Sequence, residues 1–423
     1  MSTVLIQHTL VYNRKQPVDV FIRDGNVEKI EKGISEDADT IIDAEGNILI
    51  PGMIDMHVHL RVPGQEYKED FVSGSAAAIA GGITTVGDMP NTNPPITTVA
   101  LLQQNIARAQ KEGTIDIVSY IGATTDNIEE IRQSVGLAVG VKVAPYFTAA
   151  DGTKLIDDDE ALEKLFALKL DMPIVVHCED EHMVGKHAVK LKEYGGVDIH
   201  GKLRSPEVAI SALKRIIAIV KKTNSSVHIT HISTKKELVL IAKAKKEGVR
   251  ITCDVTPHHL IFTDLDVAER GSVLKVNPPI RPSSDVSAMW EGVLSGDIDM
   301  IATDHAPHTW EEKNVESYWD VPSGLPELDT ALLVLLNHVD DEQFTMERLV
   351  EITSTKPAEI FGLKGKGTIG PGSVADLVLV DLHSPTVIVR DQLKTKCGWS
   401  PWQGHMVRAS ITTVIKDGKI VSE

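Results

Sequence analysis

Residues 226–255, SVHITHISTKKELVLIAKAKKEGVRITCDV, decide the fold. A short β-branched run, SVHITH (226–231), gives way to KKELVLIAKAKKEG (235–248), rich in Ala, Leu, Lys and Glu, and then to VRITCDV (249–255). Strand, helix and strand in that order read as a parallel βαβ unit. The pattern continues on both sides. Strand-like runs stand at GMIDMHVHL (52–60), GITTVGDM (82–89), IDIVSYIG (115–122), AVGVKV (138–143), MPIVVH (172–177) and IDMIATD (298–304). Helix-like VALLQQNIARAQKEG (99–113) and DEALEKLFALKL (159–170) lie between them. Eight strand runs alternating with helices over roughly 250 residues match a (β/α)8 barrel. The expected fold class is therefore α/β, a TIM-type barrel over 52–366. A doubly wound open sheet shares the alternation, because strand count alone does not prove closure.

The two ends of the chain differ from this middle. VDVFIRDGNVEKIEKG (18–33) is a pair of alternating runs joined at Asp24-Gly25, a tight hairpin signal, and TIIDAEGNILIPG (40–52) continues in the same style. GTIGPGSVADLVLVDL (367–382) and SITTVIKDGKIVSE (410–423), turning at Asp417-Gly418, repeat the chemistry. Residues 1–51 and 367–423 are expected to form one small composite β-sandwich domain beside the barrel.

Composition narrows the function classes. The 423 residues include 43 basic and 60 acidic side chains, a net charge of −17, with no basic block, which argues against nucleic acid or an anionic membrane as partner. Cys178, Cys253 and Cys397 are far apart and form no CxxC pair, so a disulfide framework is not expected and a reducing, cytoplasmic setting is. MSTVLIQHTLVYNRK at the start lacks the pattern of a secretory signal, and no apolar run reaches the roughly 18 residues of a membrane span.

Polar residues fall at the ends of the strand runs. His57 and His59 sit near the end of the first, Lys142 near the end of the fourth; His177 closes the fifth, His231 the sixth and Asp304 the eighth. In a barrel these ends meet at the C-terminal face, where active sites are built. One residue apart on a strand, His57 and His59 point to one face. A lone buried histidine is more often satisfied by a backbone carbonyl than by a metal. Four histidines and an aspartate gathered at strand ends favour a metal centre. Lys142, flanked by valines, is costly as a buried ammonium; as a neutral amine it can add carbon dioxide and become a carbamate. A lysine that snorkels to solvent or pairs with an acid fits the spacing equally well. His258 and His259 in TPHHL, and His305, are placed to orient ligands or simply to pack; Cys178 is expected to face the core.

On these residues the chain resembles the amidohydrolase superfamily and, within it, the dihydroorotases, over nearly its full length. PGMIDMHVHLRVPG (51–64) is similar to the family's first-strand signature, which implies His57 and His59 as ligands of the more buried metal. GDMPNTNPP (87–95) is similar to the second-strand motif. GVKV (140–143) stands where the family has its carbamylated lysine, implying Lys142 as a bridging ligand. VVHCED (175–180) and HITHIST (228–234) imply His177 and His231 for the second metal, and IATDHAPHTWEEK (301–313) implies Asp304 as ligand and proton shuttle. Two divalent ions, zinc by resemblance, are the implied cofactor. Some dihydroorotases instead bridge their metals with an aspartate from a T-D-D-G loop; FTAADG (147–152) leaves only Asp151 there, so the resemblance favours the carbamate. The loop near 147–157 is a candidate lid.

The substrate implied is a small molecule, dihydroorotate or N-carbamoyl-aspartate. Its ring carboxylate suits the guanidinium fork of Arg61, two residues after the HxH pair and on the same face if the strand runs on. The resemblance adds Asn91 and His308 as carboxylate partners and Asn277 as a contact to the ring. Hydantoinase, dihydropyrimidinase or allantoinase activity is the nearer alternative. A non-catalytic assembly homologue, for instance of aspartate transcarbamoylase, is the other. Partner expectations are a homo-oligomer or that same transcarbamoylase.

Overall fold

The computed structural model describes residues 2–144, 156, 158–339 and 343–422. The candidate lid near 147–157 and Asp151 lie outside the described residues, apart from Ile156. Eight strands surround one lumen: Met53–Val58, Ile83–Asp88, Asp116–Ser119 continuing into Ile121–Gly122, Val141–Val143, Ile174–Val176, Ser226–Ile229, Arg250–Val255 and Met300–Ile301. Each pairs in parallel with the next. The first and last strands close the ring: Val58 bridges His305 in parallel, the His59 amide donates to the His305 carbonyl at 2.8 Å, and the Thr303 amide donates to Asp55 Oδ1 at 3.0 Å. The barrel, not the open sheet, is the observed topology.

Alternation along the strands sorts the side chains. Val141, Val143, Ile174, Val176, Val227, Ile229, Ile251 and Cys253 pack outward into one apolar cluster with Leu102, Leu162, Phe166, Leu213, Ile216 and Ile241 of the surrounding helices. Lys142, between two of these outward residues, is thereby turned into the lumen. Cys178 lies in the same outer cluster, as its sequence setting suggests. The helices start where capping chemistry places them: Thr234 accepts from the Glu237 amide while Glu237 reaches back to Thr234, starting Lys235–Lys246.

Both ends of the chain build the second sheet. Its hydrogen-bonded order places Leu377–Asp381 between Ser410–Lys416 and Ile48–Pro51, with Thr3–Val11, Val18–Arg23 and Asn26–Glu31 following. Asp24 and Gly25 adopt φ of +47° and +83° in the hairpin turn, as do Asp417 and Gly418 at +50° and +71°. The first strand shifts register between Ile6 and Thr9, with His8 at φ +54°, so that its two halves serve different layers around one core of Val4, Ile6, Leu49, Leu377, Leu379 and Ile415. Ile50, Val378, Val380 and Val414 take the opposite face and join the barrel's cluster. Residues 388–407 leave the sheet: Ile388, Cys397, Trp399, Trp402 and Val407 pack with Phe262, Leu274, Leu325 and Val334 of the barrel.

A partly buried ion-pair network ties sheet to barrel. Lys366 and Lys416 reach Asp116 at 2.6 and 3.1 Å, and Lys416 reaches Asp376 at 3.2 Å. Burial pushes the Asp116 carboxyl up, but the two lysines outweigh it and hold the group below its ordinary 3.8. A folded pKa below the unfolded one stabilises in full above the unfolded value, and that contribution is lost as pH falls through the folded value. Protection factors at Ile117 and Val118, that is, exchange rates corrected for their intrinsic pH dependence, are expected to fall as pH drops below about 3.9, and Asp116→Asn to flatten that dependence. An unchanged acid dependence in the variant would assign the effect elsewhere.

Candidate active site

The strand ends converge on a cavity of about 350 Å³ lined by His57, His59, Arg61, Asn91, Lys142, His177, His231, Asn277, Asp304 and His308, every site residue expected from the sequence. His59 Nε2 lies 3.0 Å and His57 Nε2 3.2 Å from Asp304 Oδ1. Lys142 Nζ is 3.4 Å from His57 Nε2, and His177 Nδ1 is 2.9 Å from His231 Nε2. The rings of His57 and His231 stand 5.3 Å apart, which joins the two groups.

The backbone that delivers these side chains is strained in places. Asp304, His231 and Arg61 have φ of +50°, +38° and +66°, values rare for residues with a Cβ. Each lies just beyond its strand, so the turn away from the sheet, rather than strand alternation, sets its direction. The first strand stops at Val58, and Arg61 reaches the cavity through this left-handed turn. Neighbouring loops press closely: a Cβ on Gly64, at φ +94°, would lie 2.0 Å from the Asn93 carbonyl oxygen. The Asp254 carboxylate supports His231 by accepting from its amide at 2.6 Å and from His228 Nε2 at 2.9 Å.

Charge states follow from burial. Desolvation, reinforced by the Lys142 charge, pushes His57 and His231 well below 6.5, so both are neutral imidazoles with lone pairs to offer. Burial also draws Lys142 down to about 8. For Asp304 burial acts upward, but the His59 hydrogen bond and the surrounding positive charge prevail and keep it ionised. Within the buried set, His57 Nδ1 and His231 Nδ1 have no hydrogen-bond partner among the described residues. Neutral imidazoles, an ionised carboxylate and orphaned buried nitrogens suit a borderline-soft divalent cation. The ligand atoms of His57, His59 and Asp304 lie within 4.8 Å of one another, as do those of His177, Glu179 and Glu181.

Glu179 and Glu181 escaped the sequence reading. Glu179 Oε2 accepts from His177 Nε2 at 3.0 Å, which places that ring's proton on Nε2 and leaves Nδ1 as a lone pair beside His231. Arg204 secures Glu179 at 2.7 Å and Glu181 at 2.8 Å. The available signal was spacing: Glu179 follows His177 by two residues, as His59 follows His57. Asn91 also has a partner the sequence did not suggest, since its Oδ1 stands 2.6 Å from His59 Nδ1. His258 and His305 lie behind the site, His258 Nδ1 bonded to Glu327 at 3.1 Å and His305 Nδ1 accepting the Glu327 amide at 3.0 Å.

Comparison with known proteins agrees with this geometry. The amidohydrolase family model matches residues 48–421. A protein named dihydroorotase from Pelobacter propionicus is 36% identical over 426 residues, covering 99% of this chain and 99% of that protein. One from Methanosarcina acetivorans, with the same name, is 35% identical over 416 residues, covering 96% and 89%. Among solved structures, the L-hydantoinase (dihydropyrimidinase) of Arthrobacter aurescens superposes with a TM-score of 0.95 at 28% identity, covering 100% of this chain and 96% of that one. Family match, full-length identity and a barrel whose strand ends gather histidines and an aspartate place this chain in the amidohydrolase family and, within it, among the dihydroorotases.

Proposed function

We propose that the chain interconverts N-carbamoyl-L-aspartate and (S)-dihydroorotate plus water, the ring-closing step of pyrimidine biosynthesis. The observation that carries this reading is Arg61. Its guanidinium is buried, lines the cavity, donates to the Pro307 carbonyl at 3.1 Å and stands 3.2 Å from His308 Nε2; it enters no ion pair among the described residues. A buried cation without an anion is expensive, and a substrate carboxylate removes that cost. Uncharged hydantoins and dihydropyrimidines would leave it uncompensated. Asn277 Oδ1, buried without a partner among the described residues, is a further free acceptor for a ring N–H.

His57, His59, His177, His231 and Asp304 would hold two divalent ions, zinc in our reading, with a carbamate on Lys142 as the shared ligand. When bound, such ions lower the pKa of water from about 15.7 to roughly 7 and polarise an amide carbonyl. The Lys142 ammonium first gives up one proton, which burial favours; the neutral amine then adds through nitrogen to the carbon of carbon dioxide and releases a second proton, so that a buried cation becomes an anion. Asp304 Oδ1 faces the two imidazoles, leaving Oδ2 to take the proton of the attacking water and return it to the ring nitrogen as the C–N bond breaks. Arg61, Asn91 and His308 hold the carboxylate, and Asn277 the ring, so that the amide carbon is presented to the attacking oxygen.

No helix among the described residues is long and apolar enough to cross a membrane. Three free buried cysteines fit a reducing cytoplasm, which we take as the setting. Self-association and association with aspartate transcarbamoylase are the partner readings, and we keep 1–51 with 367–423, and 52–366, as the two proposed domains. The decisive test is a metal analysis paired with hydrolysis assays. Dihydroorotate should be turned over, activity should fall at least about 10³-fold on chelation and return with zinc, and uncharged cyclic ureides should be poor substrates. Faster turnover of hydantoin or dihydrouracil would make the chain a hydantoinase-type enzyme; a well-folded chain with neither metal nor turnover would make it an assembly homologue.

A further inference from the structure

The two ring nitrogens of His308 sit in opposite chemical settings. Nδ1 lies 3.0 Å from Lys68 Nζ. An ammonium has donors and no acceptor, so Nδ1 must be the lone-pair nitrogen. Nε2 lies 3.2 Å from the Ser323 carbonyl oxygen, which can only accept, so Nε2 bears the proton. Both contacts dictate the same tautomer. The consequence concerns Arg61, whose Nη2 is also 3.2 Å from Nε2. A guanidinium has no lone pair for that proton, so these two groups do not bond to each other. They stand as adjacent N–H donors in the cavity wall.

Lys68 is itself fixed. It is buried, and Glu312 Oε1 accepts from its ammonium at 3.1 Å. Glu312 is held in turn by the Tyr67 hydroxyl and the Thr309 amide, each at 3.0 Å. On the other side, Trp399 Nε1 donates to the His308 carbonyl at 2.8 Å and pins its backbone. Burial, with the neighbouring charges of Arg61 and Lys68, keeps the His308 ring neutral, so a single proton must be placed on one nitrogen or the other.

We propose that Lys68 is a positioning residue for substrate recognition: by donating to His308 Nδ1 it holds the Nε2 proton beside the Arg61 guanidinium, and the two donors read one carboxylate. This rests on the carboxylate substrate proposed above. The opposite tautomer would present a lone pair to the anion and repel it. Without Lys68 the Ser323 carbonyl alone holds the proton on Nε2, and Glu312 Oε2, 3.5 Å from Nδ1, competes for it.

Nitrogen NMR of histidine-labelled protein, with His308 assigned through His308→Gln, reads the tautomer directly. The wild type should show a protonated Nε2 and an unprotonated Nδ1; Lys68→Met should move the proton toward Nδ1. Kinetically, Lys68→Met should raise KM for dihydroorotate roughly 10- to 100-fold with kcat changed by less than about threefold, the signature of a lost charged hydrogen bond in binding. Lys68→Arg, which keeps a donor, should recover most of the loss. A protonated Nδ1 in the wild type overturns the proposal, as does a KM within about twofold of wild type in a folded, metal-loaded Lys68→Met. Should that variant fail to fold, the wild-type tautomer decides alone. Absence of wild-type turnover of dihydroorotate would count against the substrate reading, while the tautomer measurement would still decide the role of Lys68.

Discussion

Lys142→Ala is expected to lose at least about 10³-fold in turnover, and short carboxylic acids such as acetate or propionate to restore part of it. The magnitude corresponds to about 4 kcal/mol of transition-state stabilisation, the scale of losing an anionic ligand that holds metal in place. Lys142 lies on the short strand Val141–Val143, turned into the lumen between outward-facing valines, in no ion pair among the described residues and 3.4 Å from His57 Nε2. An ammonium kept there for packing alone would be replaceable: alanine would relieve an unpaired buried charge, melting temperature would hold or rise, and turnover would survive. A carbamate predicts the reverse, with lower metal content, lost activity, and rescue by an added carboxylate that occupies the vacated volume. Measured kcat and metal stoichiometry with and without the acids separate the two. Unimpaired turnover in Lys142→Ala would rule the carbamate out.

Arg61→Ala should lower kcat/KM for dihydroorotate by about 10²- to 10⁴-fold, mostly through KM. Two charge-assisted hydrogen bonds at about 1.5–3 kcal/mol each set that range. Part of the loss should reach kcat, since the carboxylate anchor also presents the amide. Arg61→Lys restores the charge but not the planar fork, so it should recover only a fraction. Any residual activity on dihydrouracil should be unaffected or improved, because no carboxylate is lost from that ring. A normal KM in Arg61→Ala would remove the substrate assignment and with it the premise for Lys68.

The site was legible to the extent that its residues announce themselves locally. His57 and His59 form an HxH at the end of a strand-like run, and His177, His231 and Asp304 end three more such runs, each visible without any partner. The Asp24-Gly25 and Asp417-Gly418 turns were equally plain, because positive φ at consecutive positions has few residue solutions. Residues that act through others were silent. Lys68 and His308 are 240 positions apart, Trp399 and His308 are 91 apart, and nothing in either segment encodes the approach. Glu179 stands inside VVHCED without any local sign of its role, since its value lies in a pairing with Arg204 and His177 that burial alone makes consequential. Arg61 was found for an incomplete reason: it faces the cavity through a left-handed turn, not through continued strand alternation.

By itself, then, the order of residues determined the alternation of strand and helix, the small sheet drawn from both ends, and which side chains stand at the strand termini, because periodicity, capping and turn chemistry act over a few neighbouring residues. Only the tertiary structure decided that the ring closes at Val58 and His305, which nitrogen of His308 bears the proton, and that a buried guanidinium faces the cavity with no ion-pair partner among the described residues. Those outcomes depend on desolvation and on donors meeting donors across hundreds of residues, quantities that exist only once the chain has folded.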